Sequence, residues 1–459
     1  MSRVVKDNNN NNSDNKIIVG KELNEKYFPH HPKNILRMNN GSFGACPNAV
    51  LELANERRQE WLKCPDILWG NAIPNGMGEA RTAVAKYVAH CDVEDIVVIE
   101  NVTVASTMMT YWLVDDVLKL AIDKKTMAIN PGPYVILTTN YNYNAVKSSH
   151  EASKQKLQGY NINLIIEVVN IPFPLNSSNE IENVYEKKMQ ELNEKYPNVS
   201  SLRLVYLDHI ISNPCMILPV RKIADICKKG GFNTIYCDGA HSPGYIPNLE
   251  VQKLGCDFYA SNLHKWSFAP TAAAFLFQHS DRHGELHHPI ISHNYGFADN
   301  ERTRDGLVGG LAGESRMMGT RDYSAMLSIP DAIQFYLKIG GDQIAKRNRD
   351  LAIKVSDMLS KAWETSVGIP HDMIGCMVMV GLPEALGSTL KDAAILRKEL
   401  QTMSIGTYNQ IMTQFSFPAN GRLWMRISVA AYNHFEEYEI FRDAINEIVV
   451  NKTAAQFNF

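Results

Sequence analysis

The sequence predicts an α/β fold: a large domain on a mostly parallel sheet between helices, plus a smaller α+β domain drawn from both chain ends. Two patterns carry that prediction. Between Ile96 and Phe277, short runs of Val, Ile, Leu, Tyr and Phe alternate with segments of helical spacing. Strands that alternate with helices imply a parallel sheet covered on both faces. From Asp322 the order changes to two helices, then strand, helix, strand and a last amphipathic helix. At 459 residues the chain is long enough for two or three domains.

Taken in order, residues 1–20 form a polar tail whose Asn8–Asn12 run has nothing to bury and is expected to be disordered. Residues 21–70 are an arm and a helix (Asn48 to Leu62) that contribute to the small domain. The large domain, 71–300, opens with helical spacing from Glu79 to Ala89 and a strand at Ile96 to Ile99. A long helix follows toward Leu120, then strand Tyr134 to Thr138, helix Ala145 to Gln158, strand Ile162 to Val168 and helix Ile181 to Tyr196. The remaining strands are Leu202 to Leu207, Thr234 to Cys237, Phe258 to Ala260 and Ala272 to Phe277. Residues 301–321 read as a connection, and the glycine density from Gly306 to Gly313 suits a linker or lid. The small domain, 322–459, holds helices Ala325 to Lys338, Asp342 to Glu364, Thr389 to Met403 and Phe435 to Val449, with strands Met377 to Val380 and Leu423 to Ser428.

One stretch carries the chemistry. Cys237-Asp238-Gly239-Ala240-His241 closes one apolar run, and Ser261-Asn262-Leu263-His264-Lys265-Trp266 closes the next. An unpaired carboxylate or ammonium at a water-starved strand end is costly, so Asp238 and Lys265 both need a compensating group. A plain buried Asp–Lys pair is one answer. A pyridoxal 5′-phosphate ring is a better one, because Lys265 can form a Schiff base with its aldehyde while Asp238 keeps the ring nitrogen protonated.

These motifs resemble the class V aminotransferase-type pyridoxal-phosphate enzymes of fold type I. Within them the chain is most similar to the branch of isopenicillin N epimerase-like proteins, plant-type L-cysteine desulfhydrases and the C–S lyases of ergothioneine synthesis. The likeness runs from about Met38 to Tyr438. It implies a seven-stranded sheet, a homodimer with shared active sites, and roles for individual residues. Met38 to Pro47 matches a loop whose backbone lies over the substrate side of the cofactor, with Asn40 as the substrate contact. The strand-to-helix turn at Asn101 to Thr103 is an anion site by its free amides and helix dipole. There the Val102 and Thr103 amides and the Thr103 hydroxyl are assigned to the phosphate, a plain helix cap being the alternative. Tyr143 or Tyr141 would stack on the ring, and Tyr143 would also shuttle a proton. His241 would meet the ring oxygen; Ser261 and His264 would support the phosphate. His209 is either a ring contact or a satisfied core histidine. Gly319-Thr320 would reach across to the phosphate of the second copy. Arg426, in Trp424-Met425-Arg426-Ile427-Ser428, would grip the substrate α-carboxylate with the bidentate geometry that guanidinium favours.

Composition excludes several other readings. A net charge of −3 gives no basic field for nucleic acid or an anionic membrane. No apolar run approaches the ~20 residues that span a bilayer, and the N-terminus lacks a signal-peptide core, so a cytoplasmic location is expected. The eight cysteines show no paired zinc-ligand spacing, and the histidines from His279 to His293 have no HExxH-like pattern, so no metal is expected.

The reaction is narrowed by one further feature. Class V desulfurases that carry sulfur on their own thiol need a cysteine on a loop just upstream of the carboxylate arginine, and Thr407 to Arg422 contains none. The reading that results is a lyase that eliminates sulfur from cysteine or a cysteine conjugate such as hercynylcysteine sulfoxide. Lys265 would take the Cα proton, and the aminoacrylate product would decay to pyruvate and ammonia. An epimerase of the isopenicillin N type is the alternative, followed by transamination and by a catalytically dead scaffold.

Overall fold

The computed structural model describes residues 17–298, 301 and 308–457. The Asn-rich run and the Gly306 end of the glycine-rich connection lie outside the described residues.

Seven strands form the central sheet: β1 (Ile96–Ile99), β2 (Tyr134–Thr139), β3 (Leu164–Val169), β4 (Leu202–Asp208), β5 (Thr234–Asp238), β6 (Phe258–Asn262) and β7 (Ala274–Gln278). Their order is β1-β7-β6-β5-β4-β2-β3, and β7 alone runs antiparallel to its neighbours. The period-2 alternation of a strand sorts the apolar side chains into two layers. Ile96, Val98, Val135, Leu137, Val205 and Leu207 face one core, while Val97, Ile99, Ile136, Leu204, Tyr206 and Tyr236 face the other. The second layer is covered by the helices Val102–Ala121 and Asn144–Gln158. The helix Val220–Lys229 lies under the first layer, with Val220, Ile223, Ala224 and Cys227 buried at i, i+3, i+4 and i+7.

The small domain is an antiparallel sheet of β8 (Met377–Gly381), β9 (Phe417–Ala419) and β10 (Arg422–Ser428) in the order β8-β10-β9. Both chain ends build it. Ile35–Arg37 pairs in parallel with Gln410–Met412, and the Gly20 amide donates to the Ala431 carbonyl at 2.7 Å. Asn40 makes this junction permanent. Its amide N–H donates to Ser428 Oγ at 2.8 Å, its Nδ2 donates to Asn433 Oδ1 at 2.7 Å, and its Oδ1 accepts from Tyr432 at 2.9 Å.

Two departures from expectation bear on the site. The glycine-rich connection is not all linker, because Gly310–Arg316 forms a helix whose residues are all buried. Small residues let it press close to the sheet, where it packs beside β1. A hairpin, Ile210–Ser212 with Cys215–Ile217, also follows β4. Its strands are too short for any period to show in the sequence.

The N-terminal loop is pressed onto the turn after β6. Gly44 has φ +69, and a Cβ there would overlap the backbone of His264 and Lys265. Gly44→Ala should therefore lower unfolding stability by about 2–4 kcal/mol, combining a left-handed penalty with overpacking. A denaturant melt of wild type and variant checks this, and an unchanged midpoint would disprove the close approach.

Candidate active site

The carboxyl ends of β1, β2, β4, β5 and β6 point the same way, where ligands of open parallel sheets bind. Asp238 ends β5, and Lys265 sits in the short turn Leu263–Trp266 that follows β6. Both are largely buried. Burial lowers the Lys265 pKa to about 8; Arg426 pushes the same way, and Asp238 opposes them. Burial raises the Asp238 carboxyl, against the Ala240 N–H, which it accepts at 2.9 Å, and against Lys265. A second buried carboxyl, Asp208 at the end of β4, is its register partner. Burial and the Asp238 charge both raise Asp208 well above the carboxylate range. Asn142 Nδ2 donates to Asp208 at 2.6 Å.

His241 Nε2 lies 3.1 Å from Lys265 Nζ, and Trp266 Nε1 donates to His241 Nδ1 at 3.3 Å. Burial, then Lys265, Arg426 and His264, hold His241 well below its usual pKa, so the ring is neutral.

Arg426, on β10, is 1% exposed. Its Nη1 donates to the Ser212 carbonyl at 2.9 Å and to Ser212 Oγ at 3.1 Å. Its Nη2 donates to Asn39 Oδ1 at 2.6 Å and to Ser42 Oγ at 2.8 Å, while Nε has no partner. Each of these acceptors is a neutral oxygen, and no carboxylate pairs with the guanidinium among the described residues. A buried cation without a counter-ion is strongly disfavoured unless an anion completes it. The Asn40 assignment needs correcting here: its side chain is fully engaged in the junction between the chain ends, and Asn39 and Ser42 are the loop residues that face Arg426. Ser212, on the short hairpin, was not legible in the sequence.

The phosphate assignment also changes in part. The Val102 amide is not free, because it donates to Asn262 Oδ1 at 3.1 Å, and the Val104 amide donates to the Asn101 cap at 3.1 Å. Thr103 remains open, exposed at the helix N-terminus. Asn262 thus ties this turn to the Lys265 turn. His264 Nδ1 is buried without a partner, and burial and Lys265 lower its pKa to about 4. The Ser261 hydroxyl is committed to the Gly239 carbonyl, so any help it gives a phosphate is indirect. Just before the turn, Glu100 pairs with Arg321. Burial alone would raise Glu100, but the nearby His288 ring and the paired Arg321 guanidinium outweigh it and bring it to about 2.

The other residues separate. His209 Nδ1 is 2.8 Å from the Tyr259 hydroxyl, and burial lowers its pKa to about 4, which suits a satisfied core histidine. Tyr141 is edge-on to Phe417 at 5.8 Å, whereas Tyr143, at the start of the helix Asn144–Gln158, is 59% exposed. Gly319 has φ +86, and Thr320 lines a surface cavity of about 380 Å³ with Arg57, Trp61, Leu62 and Leu327.

Residues 167–441 match the aminotransferase class-V family. The chain is 31% identical to a probable chloroplastic L-cysteine desulfhydrase of Arabidopsis thaliana, over 93% of this chain and 85% of that one. The chain belongs to the class V aminotransferase family. A hercynylcysteine sulfoxide lyase of Schizosaccharomyces pombe is 24% identical over 90% of this chain and 94% of its own. The solved structure of an apo cysteine desulfurase from Thermococcus onnurineus NA1 shares the fold with a TM-score of 0.68. It is 19% identical and covers 95% of this chain and 99% of its own.

Class V membership brings pyridoxal 5′-phosphate as cofactor, and the residues present fit it. Asp238 offers a buried carboxylate, His264 an orphaned nitrogen, Thr103 an open helix terminus and Lys265 an amine with a lowered pKa. Because that amine titrates near 8, cofactor-free protein should take up pyridoxal phosphate faster as pH rises, levelling off above about 8. Stopped-flow absorbance across pH 6–10 (roughly the span in which a lysine perturbed this far titrates) checks the profile. A rate flat with pH would count against Lys265 as the reacting amine.

Proposed function

We propose that this chain is a pyridoxal-phosphate-dependent carbon–sulfur lyase acting on cysteine or a cysteine conjugate, with Lys265 as the covalent anchor of the cofactor. The observation that carries the amino-acid part of this reading is Arg426, a buried guanidinium ringed only by neutral oxygens. It suits an α-carboxylate, which would complete the charge bidentately. When bound, the cofactor supplies an electron sink for the carbanion at the substrate Cα.

The chain's own residues do the rest. Arg426, oriented by Asn39, Ser42 and Ser212, fixes the carboxylate end of the substrate. Asp238 would hold positive charge at the ring nitrogen, and Thr103 and His264 would hold the phosphate. Lys265, whose free amine is accessible near neutral pH, removes the Cα proton. The sulfur group leaves Cβ with its bonding electron pair, and the aminoacrylate that remains is hydrolysed by water to pyruvate and ammonia. His241, beside Lys265, steadies the amine that takes this proton. Sulfur carriage on an enzyme thiol is disfavoured: burial pushes the Cys376 thiol up to about 12, and it is fully enclosed. An epimerase would need a second acid/base; His209 is tied to Tyr259, which leaves Tyr143 for that place.

A homodimer is proposed as well, supported by Thr320 facing the surface cavity among Trp61, Leu62 and Leu327; sedimentation velocity should return twice the chain mass. The eight cysteines are all free thiols, which accords with the reducing, cytosolic location we propose.

Incubation with cysteine and with hercynylcysteine sulfoxide should release pyruvate from at least one. Pyruvate from neither, with Cα exchange in deuterated water, would replace the lyase by the epimerase. Arg426→Lys should raise KM about 100-fold with kcat changed far less, because one point charge replaces a two-pronged grip. An equal fall in kcat alone would show that Arg426 does not bind ground-state substrate.

A further inference from the structure

Trp266 is the residue after the cofactor lysine, and its indole does more than fill space. An indole nitrogen can only donate. Since Trp266 Nε1 lies 3.3 Å from His241 Nδ1, Nδ1 must present its lone pair. The buried, neutral imidazole has one proton to place, so that proton sits on Nε2, 3.1 Å from Lys265 Nζ. An N–H directed at an ammonium would oppose one donor to another; an N–H directed at a free amine makes a hydrogen bond.

We propose that Trp266 is a positioning residue that holds His241 as the Nε2–H tautomer, so that His241 donates to the Lys265 amine and keeps it in its nucleophilic form. The indole is fixed for the task. Its ring is edge-on to Tyr245 at 5.4 Å, and Tyr245 in turn receives the Met377 amide at 3.0 Å. Gly41 lies so close that a Cβ there would stand 3.1 Å from Trp266 Cζ2. Trp266 is thus wedged between the large domain, the N-terminal loop and β8. The lowered pKa of Lys265 agrees with the geometry. The charged and titratable groups that face the Lys265–His241 pair are Asp238 at the end of β5, Arg426 on β10 and His264 on the same turn. Among the described residues, the partner within hydrogen-bond distance of His241 Nε2 is Lys265 Nζ, at 3.1 Å.

Without the indole, His241 is free to carry its proton on Nδ1 and to turn an Nε2 lone pair toward Lys265. That lone pair would accept from the ammonium and stabilise it. Trp266→Phe should therefore raise the midpoint of the pH profile for pyridoxal phosphate uptake by about one unit, a roughly tenfold slower uptake at neutral pH.

The direct test is nitrogen NMR on the full-length, histidine-labelled chain with cofactor removed, His241 being assigned by the signals lost in His241→Gln. In wild type, Nδ1 should resonate as an unprotonated nitrogen and show scalar coupling across the hydrogen bond to Trp266 Nε1. A proton on Nδ1 in wild type overturns the proposal and requires no variant that might fail to fold. In Trp266→Phe, verified as folded by circular dichroism, protonation should shift toward Nδ1 and the uptake midpoint should rise. An unmoved tautomer and midpoint overturn the positioning role. Only the uptake arm rests on the proposed role of Lys265. Failure of the wild-type chain to take up pyridoxal phosphate would sink that role, while the tautomer measured without cofactor would still decide the proposal.

Discussion

Burying Asp238 and Lys265 at the ends of adjacent parallel strands is the constraint on which the rest of this molecule depends. Each would strongly prefer water. Their mutual attraction offsets part of that cost, yet burial still lowers the amine toward 8 and raises the carboxyl. The chain does not relieve this by adding a permanent counter-charge. It places a second carboxyl, Asp208, whose own charge burial disfavours, neutral histidines at 241 and 264, and a further cation at Arg426. Such a site is poised for a ligand that brings its own charges, and an aldehyde cofactor with a phosphate, joined by an amino acid, does so.

The two chain ends serve this constraint. A small domain built only from the C-terminal half could drift relative to the sheet. Here Asn40 is bound to Ser428, Tyr432 and Asn433, which ties the N-terminal loop to the end of β10. That loop then does two things within a few residues. Asn39 and Ser42 orient Arg426, and Gly44 rests on the backbone of Lys265. The same short loop therefore touches both the Arg426 guanidinium and the backbone of the Lys265 turn.

Much of this was legible in the residues. All seven strands of the large domain, and the two longer strands of the small one, fall within two residues or so of where their apolar runs place them, because burial on both faces leaves a continuous signature. Asp238 and Lys265 stood out because charge at the end of an apolar run has few explanations, whereas Arg426 was singled out only by the family resemblance. The misses share a cause. Asn39 and Asn40 are adjacent and chemically identical, and only the tight turn Asn40–Phe43 decides which one faces the arginine. The Val102 amide looked free because its acceptor, Asn262, lies far along the chain. Gly310–Arg316 looked like linker because glycine disfavours an isolated helix, whereas close packing beside β1 overrides that preference. In each case a long-range contact, which no local pattern encodes, made the decision.

The neutral surroundings of Arg426 also bear on selectivity. A guanidinium already paired with a carboxylate would have to be released before a substrate could bind, and the exchange of one ion pair for another contributes little affinity. Asn39, Ser42 and Ser212 avoid that exchange. They hold the fork in place through its N–H groups, yet leave its charge uncompensated in a medium where compensation is worth far more than in water. Nε, with no partner at all, remains to be satisfied. The arrangement therefore favours ligands that are both planar and fully ionised at the gripping end, and it discriminates against amines or amides of similar size. None of the contacts that hold Arg426 constrains the rest of such a ligand.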